Sequence, residues 1–104
     1  MAVICEKSGR FMSIAWNRPP LNVLDIALLR ELNDALSSCA AQTDVDVALL
    51  RGAGDRAFSA GVDIRDHTPE NVPEMLDVVH GVIRKLAALP QVSIAAVKGL
   101  CLGG

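Results

Sequence analysis

The chain has 104 residues, 51% of them hydrophobic and 21% charged, with a net charge of −2 at pH 7. That length suits one small domain with its own core, and the composition excludes a disordered or fibrous chain. The mild acidity leaves no electrostatic footprint for nucleic acid or an anionic membrane, and Trp16, Phe11 and Phe58 are too few aromatics for a base-stacking platform.

Cys5, Cys39 and Cys101 are odd in number and widely spaced, with no Cys-x-x-Cys pair. Neither a disulfide framework nor a zinc site is supported, so no metal is expected and the thiols read as reduced, in a cytoplasmic setting. Glu6, Lys7 and Arg10 break the opening apolar run, which argues against a signal peptide. No apolar stretch reaches the length of a membrane span.

Residues 2–6 and 11–16 read as two short strands joined through Lys7-Ser8-Gly9-Arg10 into a hairpin. Asn17-Arg18-Pro19-Pro20 then blocks both helix and central strand. Asp25 suits the N-cap of a helix to about residue 41, with Leu28, Leu32, Ala35, Leu36 and Cys39 on one face. Arg30, Glu31, Asn33, Asp34, Ser37 and Ser38 fall on the other. Val45, Val47, Ala48, Leu49 and Leu50 make a buried strand that ends at Gly52. Residues 52–72, with Gly52, Gly54, Gly61 and Pro69, read as loop with at most one helical turn. Pro73 suits the first position of a second helix, whose face is marked by Met75, Leu76, Val79, Val82, Ile83 and Leu86 up to Pro90. Val92–Val97, apolar apart from Ser93, is a second apolar strand. The order ββαβαβ predicts an α/β arrangement. Gly103-Gly104 close the chain soon after that strand with no cap or polar tail, so residues 1–104 are expected to be the N-terminal part of a longer single domain.

Three motifs compete for the glycine-containing loop. Gly52-Ala53-Gly54-Asp55-Arg56-Ala57 fits a dinucleotide fingerprint after a strand, with Glu74 downstream. That chemistry needs a helix starting at the loop to meet a pyrophosphate, and Gly61, Pro69 and Pro73 argue against one. Ala57-Phe58-Ser59-Ala60-Gly61 resembles a nucleophile elbow with its first glycine replaced, but the elbow needs a strand directly before the serine and a helix directly after it. Neither is expected around Ser59. The third reading is an oxyanion hole. Phe58–Asp63 contains small residues, Ser59, Ala60 and Gly61, that let a ligand approach the main chain, and Gly61 is free to turn the next N–H outward. Leu102-Gly103-Gly104 follows the second apolar strand. Open α/β sheets bind ligands beyond the carboxyl ends of their strands, so two N–H groups are placed to converge on one oxygen.

Four blocks carry a family resemblance along the whole chain. They are Asn17-Arg18-Pro19-Pro20-Leu21-Asn22, Val47-Ala48-Leu49-Leu50-Arg51-Gly52, Ala57-Phe58-Ser59-Ala60-Gly61-Val62-Asp63-Ile64, and Ile94-Ala95-Ala96-Val97-Lys98-Gly99-Leu100-Cys101-Leu102-Gly103-Gly104. Together they resemble the N-terminal part of the enoyl-CoA hydratase/isomerase family, the crotonase superfamily. The resemblance implies a crotonase-like spiral core of ββα units, incomplete here, in chains that assemble as trimers, often paired into hexamers. It implies that the N–H groups of Val62 and Gly104 form the oxyanion hole, Gly104 on the condition that a third glycine follows it. It further implies that Ala60, Gly61, Val62, Asp63, Ile64, Arg65, Gly103 and Gly104 line an acyl-CoA site. Coenzyme A would be part of the substrate, so no separate cofactor is implied. A finer similarity links Pro19–Asp25 and Asp63–Glu70 to the cyclohexadiene-carboxyl-CoA hydratases of aromatic degradation.

The implied reaction is addition of water to an α,β-unsaturated acyl-CoA in fatty- or aromatic-acid metabolism. Two N–H donors stabilise the enolate, each worth roughly 3–4 kcal/mol of barrier. The family's acid and base carboxylates lie beyond its glycine run, so none of the acidic residues here takes that role and the 104-residue chain alone is expected to be inactive. A double-bond isomerase and a non-catalytic acyl-CoA-binding protein are the alternatives. Asp63 is expected to fix its loop or a helix start, and His67 and His80 to be packing or surface residues. Asp66 beside His67 reads as solvated loop, with tuning of a proton relay as the alternative. Arg18 and Lys98 either hold loops or approach CoA phosphates, and Val62 acts through its main chain.

Overall fold

The computed structural model describes residues 2–104. Strands β1 (Val3–Ser8) and β2 (Phe11–Trp16) form an antiparallel hairpin with Val3 opposite Trp16 and Ser8 opposite Phe11. Lys7 and Ser8 find ladder partners in Met12 and Phe11, so the turn narrows to Gly9-Arg10. Helix α1 (Ile26–Ala40) carries the chain to β3 (Val47–Gly52), which lies parallel to β2. Next come β4 (Ala57–Ser59), a 3₁₀ turn (Ile64–Asp66), α2 (Val72–Ala88), β5 (Val92–Ala96) and β6 (Leu100–Cys101). The main sheet has the order β1-β2-β3-β5, with β2, β3 and β5 parallel, and β4 pairs with β6 in a second, two-stranded parallel sheet. The two parallel steps within the main sheet are each spanned by a crossover containing a helix, as parallel pairing requires.

Helix α1 forms where its apolar period predicts. Leu28, Leu29, Leu32, Leu36 and Cys39 are buried, and the Asp25 carboxylate accepts the Leu28 N–H at 2.8 Å. That bond satisfies one of the orphan donors of the first turn and contributes about 1 kcal/mol. Glu31, on the expected polar face, accepts the Ala2 N–H at 3.0 Å and ties the start of the chain to the helix. In α2 the buried residues are Met75, Val78 and Val82, whereas Leu76 and Ile83 are 43% and 51% exposed. The expected face is therefore rotated, because α2 packs along α1 rather than across the sheet. Pro73 stands at the second helical position, one later than expected, and still within the first turn, where it forfeits no helical bond. Leu89 ends the helix ahead of Pro90.

The core lies between the sheet and the helices. Met12, Ile14, Trp16, Ala48 and Leu50 face Leu28, Leu32 and Leu36, with Val78 and Val82 closing one side. The second apolar strand forms where the sequence places it, over Val92–Ala96. Every residue of β5 is exposed, Val92 at 63% and Ile94 at 45%, since β5 is an edge strand of the sheet and lies outside the core cluster.

Candidate functional site

Segment 52–72 decides between the three motifs. No helix begins at Gly54, so the dinucleotide fingerprint lacks the N-terminus it needs. A strand does run directly up to Ser59, contrary to the sequence reading, because Ala57 and Ser59 pair with β6. No helix follows, and Ser59 is buried with its hydroxyl accepting the Gly61 N–H at 3.0 Å. Ser59 is a loop brace and not a presented nucleophile.

The third motif has an ordered geometry. The Ala60 N–H donates to the Leu21 carbonyl at 3.0 Å, while the Ser59 carbonyl of the same peptide accepts the Leu102 N–H at 3.0 Å. One peptide plane thus spans from segment 21–24 to the Leu102 loop. Two residues on, the Leu24 N–H donates to the Gly61 carbonyl and the Asp63 N–H to the Leu24 carbonyl, both at 2.9 Å, in a parallel bridge between Leu24 and Val62. In a trans peptide C=O and N–H point in opposite directions. With the Gly61 oxygen held by Leu24, the Val62 N–H faces away from segment 21–24, toward the side of the Leu102–Gly104 loop. Among the described residues neither the Val62 nor the Gly104 N–H has a hydrogen-bond acceptor.

The two loops touch. A Cβ on Gly61 would lie 3.1 Å from the Leu102 carbonyl oxygen, and one on Gly103 3.2 Å from the Gly61 Cα. Gly61 and Gly103 have φ of 102° and 69°, a region that residues with a Cβ rarely adopt. Val62, Gly103 and Gly104 sit on the wall of a cavity of ≈ 150 Å³ whose other walls include Trp16, Leu24, Phe58, Val79, Val82 and Leu86. Among the described residues its lining side chains are apolar except for Ser59 and Cys101, and none of them is a carboxylate. Trp16 is fixed there by donating Nε1–H to the Phe58 carbonyl at 2.8 Å and by edge-to-face contact with the Phe58 ring at 4.9 Å.

On the opposite side of Val62 lies an open cleft of ≈ 530 Å³, lined by Ala60, Val62, Asp63, Ile64 and Arg65 together with Arg18, Pro19, Pro20, Leu21 and Val23. Of the expected site residues, Ala60, Asp63, Ile64 and Arg65 gather on the cleft, Gly103 and Gly104 on the cavity, and Val62 on both. Gly61 lines neither and acts as the contact between the loops. The place of residues 19–23 on the cleft was not read from the sequence, where the double proline signalled a break and formed part of a block that carries the family resemblance.

Asp63 caps the 3₁₀ turn by accepting the Arg65 N–H at 3.0 Å, which meets the expectation of a loop-fixing role. Its carboxylate is buried and held far below the usual range, first by the Arg65 side chain and backbone N–H and then by Arg18. Arg18 donates Nη1–H to the Val23 carbonyl at 3.0 Å and both Nη groups to Asp63 Oδ2 at 3.1 Å, and its Nη2 is 3.5 Å from Asp25 Oδ2. Of the two roles open to Arg18, holding loops is therefore the one its geometry serves. Asp66 is not merely solvated, since it accepts the Ile26 N–H at 3.2 Å. His67 packs its Nδ1 at 3.0 Å from the Asp63 carbonyl oxygen. Among the described residues no group of three His, Cys, Asp or Glu side chains is arranged to hold a metal, and no helix is long and apolar enough to cross a membrane.

With this geometry in place, comparison with known proteins gives a consistent result. The family model for enoyl-CoA hydratase/isomerase matches residues 6–104, and the chain belongs to that family. It is similar to the cyclohexa-1,5-dienecarbonyl-CoA hydratase of Thauera aromatica, 29% identical over 104 residues, which cover all of this chain and 40% of the relative. It is likewise similar to the short-chain-enoyl-CoA hydratase of Clostridium acetobutylicum, 35% identical over 98% of this chain and 41% of the relative. A solved enoyl-CoA hydratase/carnithine racemase from Magnetospirillum magneticum superposes with a TM-score of 0.92 at 29% identity, over 99% of this chain and 41% of that one. The fold is accordingly the N-terminal part of a crotonase fold, and the chain spans about two fifths of the length of the curated relatives it matches.

Proposed function

We propose that these residues supply the oxyanion-hole side of an enzyme that adds water to an α,β-unsaturated acyl-CoA thioester. The observation that carries the reading is the meeting of the 59–62 and 102–104 loops, with the acceptor-free N–H groups of Val62 and Gly104 beside one apolar cavity. Water attacks the β-carbon, the π electrons move toward the thioester, and the enolate oxygen gathers charge against the two donors. Donors already fixed in an apolar surround stabilise that charge without reorganising at the moment of reaction. The cavity walls suit an acyl chain, and the open cleft beyond Val62 suits the rest of the CoA thioester, touching Ala60–Arg65. No separate cofactor enters the reading, because CoA is part of the substrate.

The acid and base that complete hydration are no part of the wall described here, whose only titratable side chain is Cys101. The same reading expects residues 1–104 by themselves to be inactive, and the active protein to work in the cytoplasm as a trimer or hexamer. A double-bond isomerase would use the same two donors and differ in its proton-transfer groups.

The test is Val62→Pro in the native polypeptide that carries these residues. It removes one donor and spares the Leu24 bridge, which uses Gly61 and Asp63 instead. Hydration of but-2-enoyl-CoA should fall about 100- to 1,000-fold, with Val62→Ala near wild type. Equal rates for the proline variant and wild type would remove the assignment. Migration of the double bond with no net hydration would favour the isomerase.

A further inference from the structure

We propose that Arg18 is a positioning residue for the Val62 donor, acting through a relay of two peptide groups that ends on the substrate's thioester oxygen. The proposal rests on the function proposed above. Its first link is the Arg18 Nη1–H bond to the Val23 carbonyl at 3.0 Å. The Val23 carbonyl and the Leu24 N–H belong to one peptide plane, and that N–H donates to the Gly61 carbonyl at 2.9 Å. The Gly61 carbonyl and the Val62 N–H belong to the next plane. Guanidinium, peptide 23–24, peptide 61–62 and ligand oxygen therefore follow one another, each donor meeting an acceptor whose far end is the next donor.

Two consequences follow from elementary electrostatics. A cation bonded to a carbonyl draws electron density toward it and makes the N–H of the same peptide a stronger donor, and hydrogen bonds in series polarise one another. Arg18 thus strengthens the Val62 donor from the far side of two peptide groups. The second consequence is geometric. The same guanidinium binds Asp63 Oδ2 through both Nη atoms at 3.1 Å, so it grips both segments of the Leu24–Val62 bridge. The position next to Val62 is riveted to the segment that orients its peptide. The Asp63 side chain is 7% exposed and that of Arg18 28%, so this pairing is shielded from water far more than the surface pair Arg10–Asp46, where both side chains are 59% exposed. Arg18 does not need to touch the substrate to act.

The experiment uses the native polypeptide carrying these residues, with butyryl-CoA labelled with ¹³C at the thioester carbonyl as the bound probe and but-2-enoyl-CoA for turnover. In wild type the bound carbonyl stretch should lie below its frequency in water. If wild type binds the probe with no such shift, the oxyanion reading itself fails, independently of Arg18. Given the wild-type shift, Arg18→Met should lose much of it, with kcat about 10- to 100-fold lower and KM changed by less than about 3-fold. Arg18→Lys, which keeps a cation within reach of the Val23 carbonyl, should recover part of both. Replacing the Leu24 amide by an ester removes the middle donor with every side chain in place, so it reads the relay even if Arg18→Met does not fold. It should also reduce the shift and kcat. A folded Arg18→Met protein with wild-type shift and kcat would overturn the proposal, and so would an ester variant that matches wild type in both.

Discussion

Asn22 offers the sharpest test of how the site's frame is held. It is 2% exposed and has φ of 53°, the one positive value outside glycine among the described residues. Its Oδ1 accepts the Arg18 N–H at 2.9 Å, and its Nδ2 donates to the carbonyls of Ala53 at 3.1 Å and Ala57 at 2.8 Å. Asn22→Ala leaves three main-chain groups without a partner. The Ala57 carbonyl belongs to a buried residue and costs about 2 kcal/mol when orphaned, and the other two, nearer solvent, cost about 1 kcal/mol each. Alanine in the left-handed region adds about 1 kcal/mol. The total is about 5 kcal/mol, a large part of the stability of a typical domain. Asn22→Gly loses the same bonds without the strain and should be about 1 kcal/mol less destabilised than Ala. Urea unfolding followed by Trp16 fluorescence measures both. With a slope of about 2 kcal/mol per molar urea, the midpoint should fall by about 2.5 M for Ala and about 2 M for Gly. A loss below about 1.5 kcal/mol for Ala would refute the bond accounting, and equal losses for Ala and Gly would refute the strain.

Gly52→Ala should be comparably damaging, at about 3 kcal/mol or more, because its Cβ would fall 2.7 Å from both Asn22 Nδ2 and the Ala57 oxygen; thermal melting checks this. The Asp63 carboxyl has a folded pKa depressed by Arg65 and Arg18. Its contribution to stability is therefore complete above its unfolded value of about 4 and is lost as pH falls below that toward the folded value. Unfolding curves from pH 7 down to pH 2 should show a steeper acid loss in wild type than in Asp63→Asn, and parallel acid limbs would contradict the pairing. Burial raises the pKa of Cys39, which is 1% exposed, and raises that of Cys5 as well, although Cys5 is an exposed residue. An aromatic disulfide reagent should therefore label Cys101 fastest and Cys39 only on unfolding, as peptide mapping would reveal.

What was legible in the sequence is what short-range pattern encodes. The apolar period of α1 and the Asp25 cap are local, and the structure reproduces both. The glycine loops were legible because close approach excludes a side chain, as the Gly61–Leu102 contact demonstrates. Strand β4 escaped because three residues are too few to display a period, and its pairing with β6 lies far along the chain. The α2 face was misread at Leu76 and Val78, since periodicity fixes the spacing of a stripe but not which neighbour it meets. The exposure of β5 follows from a related limit of pattern. An apolar strand advertises a capacity to be covered, and position in the sheet decides whether it is.

The site poses a more particular problem, which the peptide geometry explains. A catalytic side chain is visible in a sequence as a residue type, whereas an N–H donor is present at every position except proline. The constraint on such a donor passes to whatever fixes its peptide plane. For the donor proposed at Val62 that means Leu24, which holds the Gly61 carbonyl, Ser59, which holds the Gly61 N–H, and Leu21, which holds the Ala60 N–H. Two of these three braces act through their own main chain and are as silent in sequence as the donor. Polar side chains become legible only one step further out, at Asn22, Arg18 and Asp63, where they tie the bracing segment to the loop. The Asn17–Asn22 block therefore carries meaning for the site although it contributes no reacting group. Its prolines stop the chain from continuing as helix or central strand, and its arginine and asparagine hold the resulting turn against β4 and the Val62 loop. A substitution that keeps the Val62 N–H, such as Val62→Ala, should therefore matter less than Arg18→Met or Asn22→Ala, because the Val62 side chain is incidental whereas those of Arg18 and Asn22 hold the bracing segment in place.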